Sequence, residues 1–322
     1  MCHLVKILSF YMPISIIIPT YNRINSLTRT LEYISSSSLL PQEVIVVDQT
    51  TEKALADRIH ELCDKQQFNT IYLHQNEPSL TKARNRGIEI ASNEIIIFMD
   101  DDVDVQPHTL YNINKLFEDH GLAMVGGFNS WSPLQNSVIG YFFGKSSFIK
   151  RNIGHVTQAV YGRFPLQKGP NISTEWAMGF FFAVRKSCLQ RWELRFDELL
   201  RYYAYAEDLD FTYAYYKRAK EEGLRCIMSD LAEVTHNCSQ EYRTPTYSTT
   251  FMQVLHREYL RNKHFHNLTS RLLCAWSDFG DFVFRMLRKE KPMTVLRARR
   301  FLSKYRKDIK RGDFHYDLFM SK

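Results

Sequence analysis

The chain has 322 residues, of which 44% are hydrophobic and 24% are charged, as in an ordinary globular protein. Its six cysteines are scattered without a CxxC pair, which argues against a zinc site or a disulfide framework and favours a reducing compartment. A net charge of +7 allows a polyanionic partner or an anionic surface, and no apolar run approaches the roughly 20 residues that span a bilayer.

The first hundred residues alternate between two hydrophobic patterns. Short apolar runs predict strands at 14–18, 44–47, 71–73 and 95–99. Apolar residues at helical spacing predict helices between them, at about 24–34, 55–62 and 81–91. Strands that alternate with helices in this way are typical of a parallel sheet with right-handed crossovers.

The rest of the chain is less regular. Its patterns predict helices at 110–117 and from 207 to Gly223, strands at 122–125, 176–184 and 224–228, and a helical tail from about residue 250. Residues 129–175 are rich in Ser, Gly, Asn, Pro and aromatic side chains. This segment is long for a loop inside a compact domain, so we predict a lid or binding loop, with a partly ordered insertion as the alternative.

Three consecutive carboxylates, Asp100 to Asp102, follow the apolar run that ends at Met99. Ligands of open α/β sheets bind at the carboxyl ends of the strands, where Thr20 and Asp48 are also expected. Clustered carboxylates favour a hard cation such as Mg²⁺ or Mn²⁺, although an acidic turn explains the cluster about as well. No GxGxxG or GxxxxGK[ST] pattern occurs, so a dinucleotide fold and a P-loop are not indicated.

Five short motifs occur in order between residues 13 and 240. They are Ile16-Ile17-Ile18-Pro19-Thr20-Tyr21-Asn22-Arg23, Val46-Val47-Asp48, Ala83-Arg84-Asn85-Arg86-Gly87, Phe98-Met99-Asp100-Asp101-Asp102 and Glu207-Asp208. Together they resemble the family-2 glycosyltransferases of the GT-A fold. The resemblance implies an α/β fold with a mostly parallel central sheet flanked by helices. It places a nucleotide-sugar-binding and catalytic domain at 12–245. The resemblance does not cover the last 80 or so residues well, and the pattern of the tail predicts a helical, basic C-terminal extension at 246–322.

The resemblance also implies a donor site. The residues expected to bind the nucleotide-sugar are Pro19, Thr20, Tyr21, Arg23, Asp48, Arg84, Asp100 and Asp101. Within this set, Asp48 would accept a hydrogen bond from a uracil imide, and Arg84 would lie against the diphosphate, with an ordinary surface arginine as the alternative. The acid and Gly-Ser that usually follow the second-strand motif are replaced by Gln49-Thr50-Thr51, which leaves the base open.

Metal ligands and a catalytic base follow from the same resemblance. Asp100 and Asp102 match the outer residues of the family's DxD motif, and Asp102 would bind Mn²⁺ or Mg²⁺ directly. His236 resembles a position at which some relatives add a metal ligand, with a diphosphate contact or a structural role as equal alternatives. Asp208 matches the family's general base, and Glu207 would contact the acceptor or cap the helix.

Two further acids, which lie close in sequence to these residues, are expected to have no role in catalysis or binding. Asp104 is expected at the surface, and Asp210 is expected to point away from the site and to be structural.

The sequence therefore predicts a metal-dependent, inverting glycosyltransferase that moves a sugar, from UDP in the first instance, to a glycan or lipid-linked glycan. The alternatives are a sugar nucleotidyltransferase of the same fold and a non-catalytic protein that binds glycan or nucleic acid. Acids at 100–102 and 207–208 would repel nucleic acid, so none is expected. The basic amphipathic stretch 294–311 predicts either contact with an anionic membrane or packing on the domain. We expect a cytoplasmic protein, with the inner face of the plasma membrane as a candidate surface.

Overall fold

The computed structural model describes residues 11–131, 138–143, 152–241 and 244–320. Its strands are β1 (Ile14–Thr20), β2 (Glu43–Asp48), β3 (Thr70–His74), β4 (Ile95–Met99), β5 (Val103–Val105), β6 (Leu122–Asn129), β7 (His155–Val156), β8 (Gly162–Arg163), β9 (Ile172–Ser173), β10 (Phe181–Arg185) and β11 (Arg225–His236). Its helices are α1 (Ile24–Ser35), α2 (Lys53–Asp64), α3 (Leu80–Ile90), α4 (Thr109–Leu116), α5 (Val138–Phe142), α6 (Lys186–Trp192), α7 (Glu207–Glu221), α8 (Thr246–His264), α9 (Leu268–Leu287), α10 (Met293–Ile309) and α11 (Asp317–Met320).

A mixed sheet forms the centre of the molecule. Its strand order is β3-β2-β1-β4-β10-β6-β11-β5, with β9 beside β11. The first four strands in this order are mutually parallel, as the alternating pattern predicts. Strand β10 runs antiparallel between β4 and β6, and β11 is parallel to β6. The sheet is therefore parallel in its N-terminal half and mixed beyond β4.

Apolar side chains are buried on both faces of the sheet. On one face, alternate residues of β1 and β4 pack with α1 and α4. On the other, Ile17, Ile96 and Phe98 pack with α3, α6 and α7. Because β1, β2 and β4 are covered on both sides, they require continuous apolar runs rather than alternation, and this is what the sequence has.

The C-terminal helices pack against the end of this domain. Residues from α8, α10 and α11 share a core with Phe128, Trp176 and Met228. The apolar stripe of α10, formed by Val295, Ala298, Leu302 and Ile309, is buried in the protein interior. The sequence left two alternatives for the apolar stripe of 294–311, contact with an anionic membrane or packing on the domain. The stripe packs on the domain. Among the described helices, none is long and apolar enough to cross a membrane.

Three expectations for the chain beyond residue 100 need correction or restriction. The strand expected at 176–184 occupies Phe181–Arg185 instead, and the residues before it are irregular. Asp104 is not at the surface: it lies in β5, buried, and accepts two hydrogen bonds from the Arg29 guanidinium at 2.9 and 2.6 Å. The proposed lid at 129–175 contains residues 132–137 and 144–151, which lie outside the described part of the chain.

A buried histidine of α8, His256, should make the stability of the fold sensitive to acid. His256 is fully buried, with Nδ1 3.1 Å from the Tyr205 carbonyl and Nε2 2.8 Å from the Tyr316 hydroxyl. Burial lowers the pKa of His256 to about 4. Because an unfolded histidine titrates near 6.5, the unfolded state takes up the proton first as the pH falls. Stability from this group is therefore complete above about pH 6.5 and is lost toward pH 4.

Because of His256, we expect the free energy of unfolding to fall by about 2 kcal/mol when the pH is lowered from 7.5 to 5. Urea unfolding of the native protein and of His256→Gln at both pH values measures this contribution, since glutamine keeps polar contacts and does not titrate. The native protein should lose about 2 kcal/mol more than the variant over this interval. Equal losses in the two proteins would contradict the assignment.

Candidate active site

The three consecutive acids at the end of β4 point to three different sets of partners. Asp100 accepts a hydrogen bond from Arg84 Nη2 at 3.0 Å. Asp101 accepts from the Thr20 hydroxyl at 2.7 Å and from Arg23 Nη1 at 2.9 Å. Asp102 accepts from the amide of Ser239 at 2.8 Å. The cluster is thus divided, and only its two outer members face the same space.

Asp100, Asp102 and His236 form a group that could hold a metal ion. One potential ligand atom from each of the three residues lies within 4.8 Å of the others. Asp102 Oδ1 is buried, accepts no hydrogen bond within the described residues, and lies 3.1 Å from His236 Nε2. Phe180 stacks on the imidazole at 5.2 Å and holds its orientation. The two carboxylates suit Mn²⁺ or Mg²⁺, whereas an imidazole suits a transition metal, so the three residues together fit Mn²⁺ better than Mg²⁺.

The protonation of this group follows from its contacts. Burial opposes ionisation of Asp102, but the adjacent imidazole of His236 lowers the pKa of this carboxyl. Burial would also lower the pKa of His236, yet Asp102 and Asp100 raise it. The raised pKa favours the protonated form of His236, in which the imidazole is a positive partner of the two acids.

Arg84 is the largest fully buried side chain of the site. Its Nη1 donates to both carboxylate oxygens of Glu207, at 2.7 and 2.8 Å, and its Nη2 donates to Asp100 and to the Gly179 carbonyl at 2.9 Å. Burial alone would lower the pKa of Arg84, but Glu207 and Asp100 raise it and keep the guanidinium charged. The arginine expected at the diphosphate thus joins the metal group to the start of α7.

Replacing Arg84 by lysine should destabilise the fold. A single ammonium cannot reach Glu207, Asp100 and the Gly179 carbonyl together, so buried carboxylates lose their partner. We expect the free energy of unfolding to fall by about 3 kcal/mol in urea titrations. Arg86→Lys is the matched control, because Arg86 lies on the same helix, is partly exposed and makes one hydrogen bond, to the His74 carbonyl. A loss no larger than that of the control would show that the pairing contributes little.

Asp208 lies in the first turn of α7, next to Arg84. Its Oδ2 accepts from the amide of Gly179 at 2.8 Å, and its Oδ1 accepts from the amide of Leu209 at 2.8 Å. Burial raises the pKa of Asp208, while these two amides oppose the shift. A carboxylate whose pKa moves toward neutrality is a better general base than a fully solvated one. The residue remains partly accessible.

The backbone that leads into α7 is strained. Tyr202, Ala204 and Ala206 have φ of 59°, 49° and 63°, a left-handed region that L-residues seldom adopt. Asp210, two residues beyond Asp208, is buried against α8, where it pairs with Lys263 at 2.8 Å and His264 at 2.6 Å. The structural role expected for Asp210 agrees with this position. Both features fix the direction of the first turn of α7.

The remaining predicted donor residues lie at the same edge of the sheet. Thr20 pairs in register with Asp48, and Pro19 is buried within β1. Asp48 is fully buried, and its two oxygens accept from the Thr50 amide at 2.9 Å and the Tyr72 hydroxyl at 2.8 Å. Tyr21 is half-buried just beyond β1. Both oxygens of Asp48 are therefore already hydrogen-bonded to protein groups.

Sequence reasoning missed two neighbours of the site. Gly179 donates to Asp208 and accepts from Arg84, and a Cβ at this position would lie 3.0 Å from Asp208 Cβ. Phe180 stacks on His236. A glycine inside an apolar run often marks a close backbone approach. The sequence Met178-Gly179-Phe180 therefore contained a signal that could have identified Gly179. Nothing local indicated the stacking of Phe180.

Comparison with known proteins decides the family. The sequence model of the family described as "Glycosyl transferase family 2" matches residues 15–191, more than half of the chain. The chain belongs to glycosyltransferase family 2. The resemblance that the five motifs carry is therefore confirmed, and the protein is an enzyme of this family.

Two sequence relatives of this glycosyltransferase carry the same assignment. YwdF of Bacillus subtilis, an uncharacterized glycosyltransferase, is 36% identical over 107 residues, which are 33% of this chain and 39% of that protein. AmsB of Erwinia amylovora, an amylovoran biosynthesis glycosyltransferase, is 29% identical over 159 residues, which are 42% of this chain and 52% of that protein. The chain thus spans about half or less of the length of these relatives.

A solved structure confirms the predicted fold class. The mannosyltransferase PcManGT from Pyrobaculum calidifontis, solved in complex with GDP-Man and Mn²⁺, superposes with a TM-score of 0.56 at 14% identity. The match covers 97% of this chain and 87% of that one. This likeness shows that the glycosyltransferase has the GT-A fold, with a mostly parallel sheet flanked by helices and a helical C-terminal region.

Proposed function

We propose that this glycosyltransferase transfers a sugar with inversion from a nucleotide-sugar, UDP-linked in the first instance, to a hydroxyl of a glycan or lipid-linked glycan. The observation that carries the proposal is the position of Asp208 beside the Asp100–Asp102–His236 group. Gly179 links the two: its amide donates to Asp208, and its carbonyl accepts from Arg84, which also donates to Asp100. A metal-binding group and a candidate base therefore lie at the same edge of the sheet.

The donor would lie over the carboxyl ends of β1, β2 and β4. Asp100, Asp102 and His236 would hold Mn²⁺ or Mg²⁺, which when bound supplies positive charge to the leaving diphosphate. Arg23 lies between Asp101 and Asp102, with its Nη1 2.9 and 3.5 Å from their nearest oxygens, and is partly exposed toward this space. Thr20, Tyr21 and Arg23 would border the base and ribose.

Asp208 would act on the acceptor. Its carboxylate takes the proton of the acceptor hydroxyl as that oxygen bonds to the anomeric carbon and the bond to the nucleoside diphosphate breaks. One displacement of this kind inverts the anomeric centre. Glu207 and Arg84 would act as positioning residues, because they form a buried pair in which Arg84 Nη1 donates to both Glu207 oxygens while Arg84 Nη2 donates to Asp100. A direct contact of Arg84 with the diphosphate stays a prediction from the family resemblance.

The contacts of Asp48 bear on the base of the donor. Asp48 is fully buried, so a uracil imide would have to displace a neighbouring group to reach one of its oxygens, each of which already accepts one hydrogen bond. PcManGT is described with GDP-Man, so guanosine donors belong in the same test. We further propose that residues 12–245 form the catalytic domain, that 246–322 form a helical extension, and that the enzyme acts in the cytoplasm in the synthesis of a cell-envelope polysaccharide. The relative AmsB, named an amylovoran biosynthesis glycosyltransferase, supports a role in biosynthesis.

Slow donor hydrolysis tests the proposal. The enzyme is incubated with Mn²⁺ and a panel of UDP-, GDP- and dTDP-sugars, and free nucleoside diphosphate is measured. We expect release from one nucleotide class, abolished by EDTA and restored by Mn²⁺. Formation of a nucleotide-sugar from a nucleoside triphosphate and a sugar phosphate would instead favour the nucleotidyltransferase alternative. No hydrolysis with any donor, with or without an acceptor, would oppose the transferase assignment of the site.

A further inference from the structure

Helix α9 differs from an ordinary packing helix because its small and polar side faces the protein and its large apolar side chains face outward. Its buried residues are small or polar: Ser270, Cys274, Ser277, Asp278 and Gly280. Its exposed residues include large apolar side chains: Leu268, Leu272, Trp276, Phe279, Met286 and Leu287. Successive members of this exposed set are mostly three or four residues apart, so they share one side of the helix within an arc of about 100°. We call this set the α9 stripe.

Buried polar contacts fix α9 in this orientation. Asp278 pairs with Arg257 on α8 at 2.8 Å and with Arg299 on α10 at 3.0 Å. Ser277 donates to the Tyr161 hydroxyl at 3.0 Å, and Ser270 donates to the Gln158 carbonyl at 2.6 Å. Rotating the helix to bury the stripe would leave the fully buried Arg257 without its carboxylate, which is costly. The outward direction of the stripe is therefore enforced by the fold.

Phe142, the last residue of α5, extends the apolar surface, and the buried Phe143 that follows α5 packs against the neighbouring rings. Phe142 is largely exposed and contacts Trp276 edge-to-face at 5.4 Å, and the Trp276 indole donates to the Phe142 carbonyl at 2.6 Å. Phe143 packs against the Trp276 and Phe279 rings at 5.5 and 6.4 Å. An exposed tryptophan among apolar side chains suits a surface between water and hydrocarbon.

Basic residues surround the stripe. Residues 267–291, which include α9 and the turn after it, contain five Arg and Lys and three Asp and Glu, and one of these acids is the internally paired Asp278. Arg271, Arg288, Lys289 and Lys291 are exposed beside the stripe or at its C-terminal end, where Glu290 is the exposed acid. A second copy of the chain would bring the same positive charge against itself, whereas anionic lipid headgroups complement it.

We propose that the α9 stripe and α5 dock the protein on an anionic lipid bilayer, with α9 lying in the plane of the surface. The stripe enters the headgroup region, and the flanking Arg and Lys contact anionic headgroups. This surface is separate from 294–311, whose apolar side is buried. The inference concerns where the protein docks and does not depend on the donor or on the identity of the base, so a failure here leaves the proposed function standing.

Vesicle sedimentation tests the proposal. The full chain is mixed with phosphatidylcholine vesicles that either contain or lack phosphatidylglycerol. We expect binding to the anionic vesicles, weak binding to the neutral ones, and release of much of the protein at about 1 M salt, where charges are screened within about 3 Å. Failure of the full chain to bind anionic vesicles would overturn the proposal.

A pair of double variants isolates the stripe. The stripe variant combines Leu272→Gln and Leu287→Gln, whose side chains are 61% and 70% exposed. The control variant combines Leu40→Gln and Ile90→Gln, whose side chains lie outside the stripe and are each 44% exposed. The stripe variant should lose about tenfold or more in vesicle affinity, and the control should bind as the native protein does. Donor hydrolysis should be unchanged in both. Equal binding by the two variants would overturn the proposal.

Two further measurements keep the test decisive. If the stripe variant melts at a lower temperature than the control, a variant with Arg288→Gln and Lys289→Gln is used in its place. We expect this variant to bind anionic vesicles about tenfold more weakly than the native protein. Analytical ultracentrifugation over a range of concentrations measures self-association. A native dimer that the stripe substitutions dissociate, with vesicle binding unaltered, would assign the stripe to a second copy and overturn the membrane proposal.

Discussion

Replacing Asp208 by asparagine should lower kcat for sugar transfer by about 10² to 10⁴, the usual contribution of a positioned general base. The substitution keeps the size of the side chain and one oxygen that can accept from the Gly179 amide, but it removes the lone pair that takes the acceptor proton. Binding of donor and metal should be nearly unchanged, because Asp208 lies outside the Asp100–Asp102–His236 group. Steady-state kinetics and calorimetry of nucleotide binding measure the two effects separately.

Two neighbouring acids on α7 serve as controls for Asp208. Asp210→Asn breaks a buried contact with Lys263 and His264, so it should lower stability with a smaller effect on kcat. Glu207→Gln weakens the pair with Arg84 and should likewise reduce stability. If Asp208→Asn retains near-normal kcat, or if Asp210→Asn reduces kcat more strongly at a temperature where both are folded, the assignment of the base is wrong.

Replacing Asp102 by asparagine should remove metal-dependent donor binding. Asp102 Oδ1 is buried, accepts no hydrogen bond from the described residues and faces His236 at 3.1 Å, so an amide nitrogen there would offer no ligand. We expect calorimetric affinity for Mn²⁺ with UDP or GDP to fall at least about tenfold, since loss of one charged ligand of a cation outweighs a typical hydrogen bond. Turnover should fall with it, unlike the pattern expected for Asp208→Asn.

Asp104→Asn is the matched control for Asp102→Asn. Asp104 lies two residues further along the chain, is also buried, and points instead to the half-exposed guanidinium of Arg29. Its replacement should leave Mn²⁺ affinity intact and should affect stability alone. Unchanged Mn²⁺ and nucleotide affinity in Asp102→Asn would refute the metal assignment, whereas equal losses in both variants would point to general damage of the fold.

The predicted elements of the N-terminal half agree with the structure because their signals are local. The runs at Ile14–Thr20 and Ile95–Met99 are apolar over their length since both faces of a central parallel strand are covered. The end of α7 was equally local: Gly223 adopts φ of 72°, which a glycine tolerates just beyond a helix. In the second half, the antiparallel direction of β10 between β4 and β6 has no local signal.

For the site, the sequence placed the functional groups but not their partners. It located acids at the end of β4 and in the first turn of α7, because charged side chains cannot remain unpaired inside a core. It did not show that Arg84 would hold Glu207, which is 123 residues away along the chain, or that Asp104 would pair with Arg29. Ion pairs of this kind depend on which elements the sheet brings together.

The sequence by itself therefore determined the family, the parallel half of the sheet and the positions of the acids at strand and helix ends. Tertiary structure alone decided how Asp100, Asp101 and Asp102 divide between a space that could hold a metal ion and a contact with Arg23. It also decided that the apolar side of α10 is buried while that of α9 faces outward. The physical reason is that an amphipathic pattern specifies that a helix has two sides, whereas long-range ion pairs such as Asp278–Arg257 select the side that faces the protein.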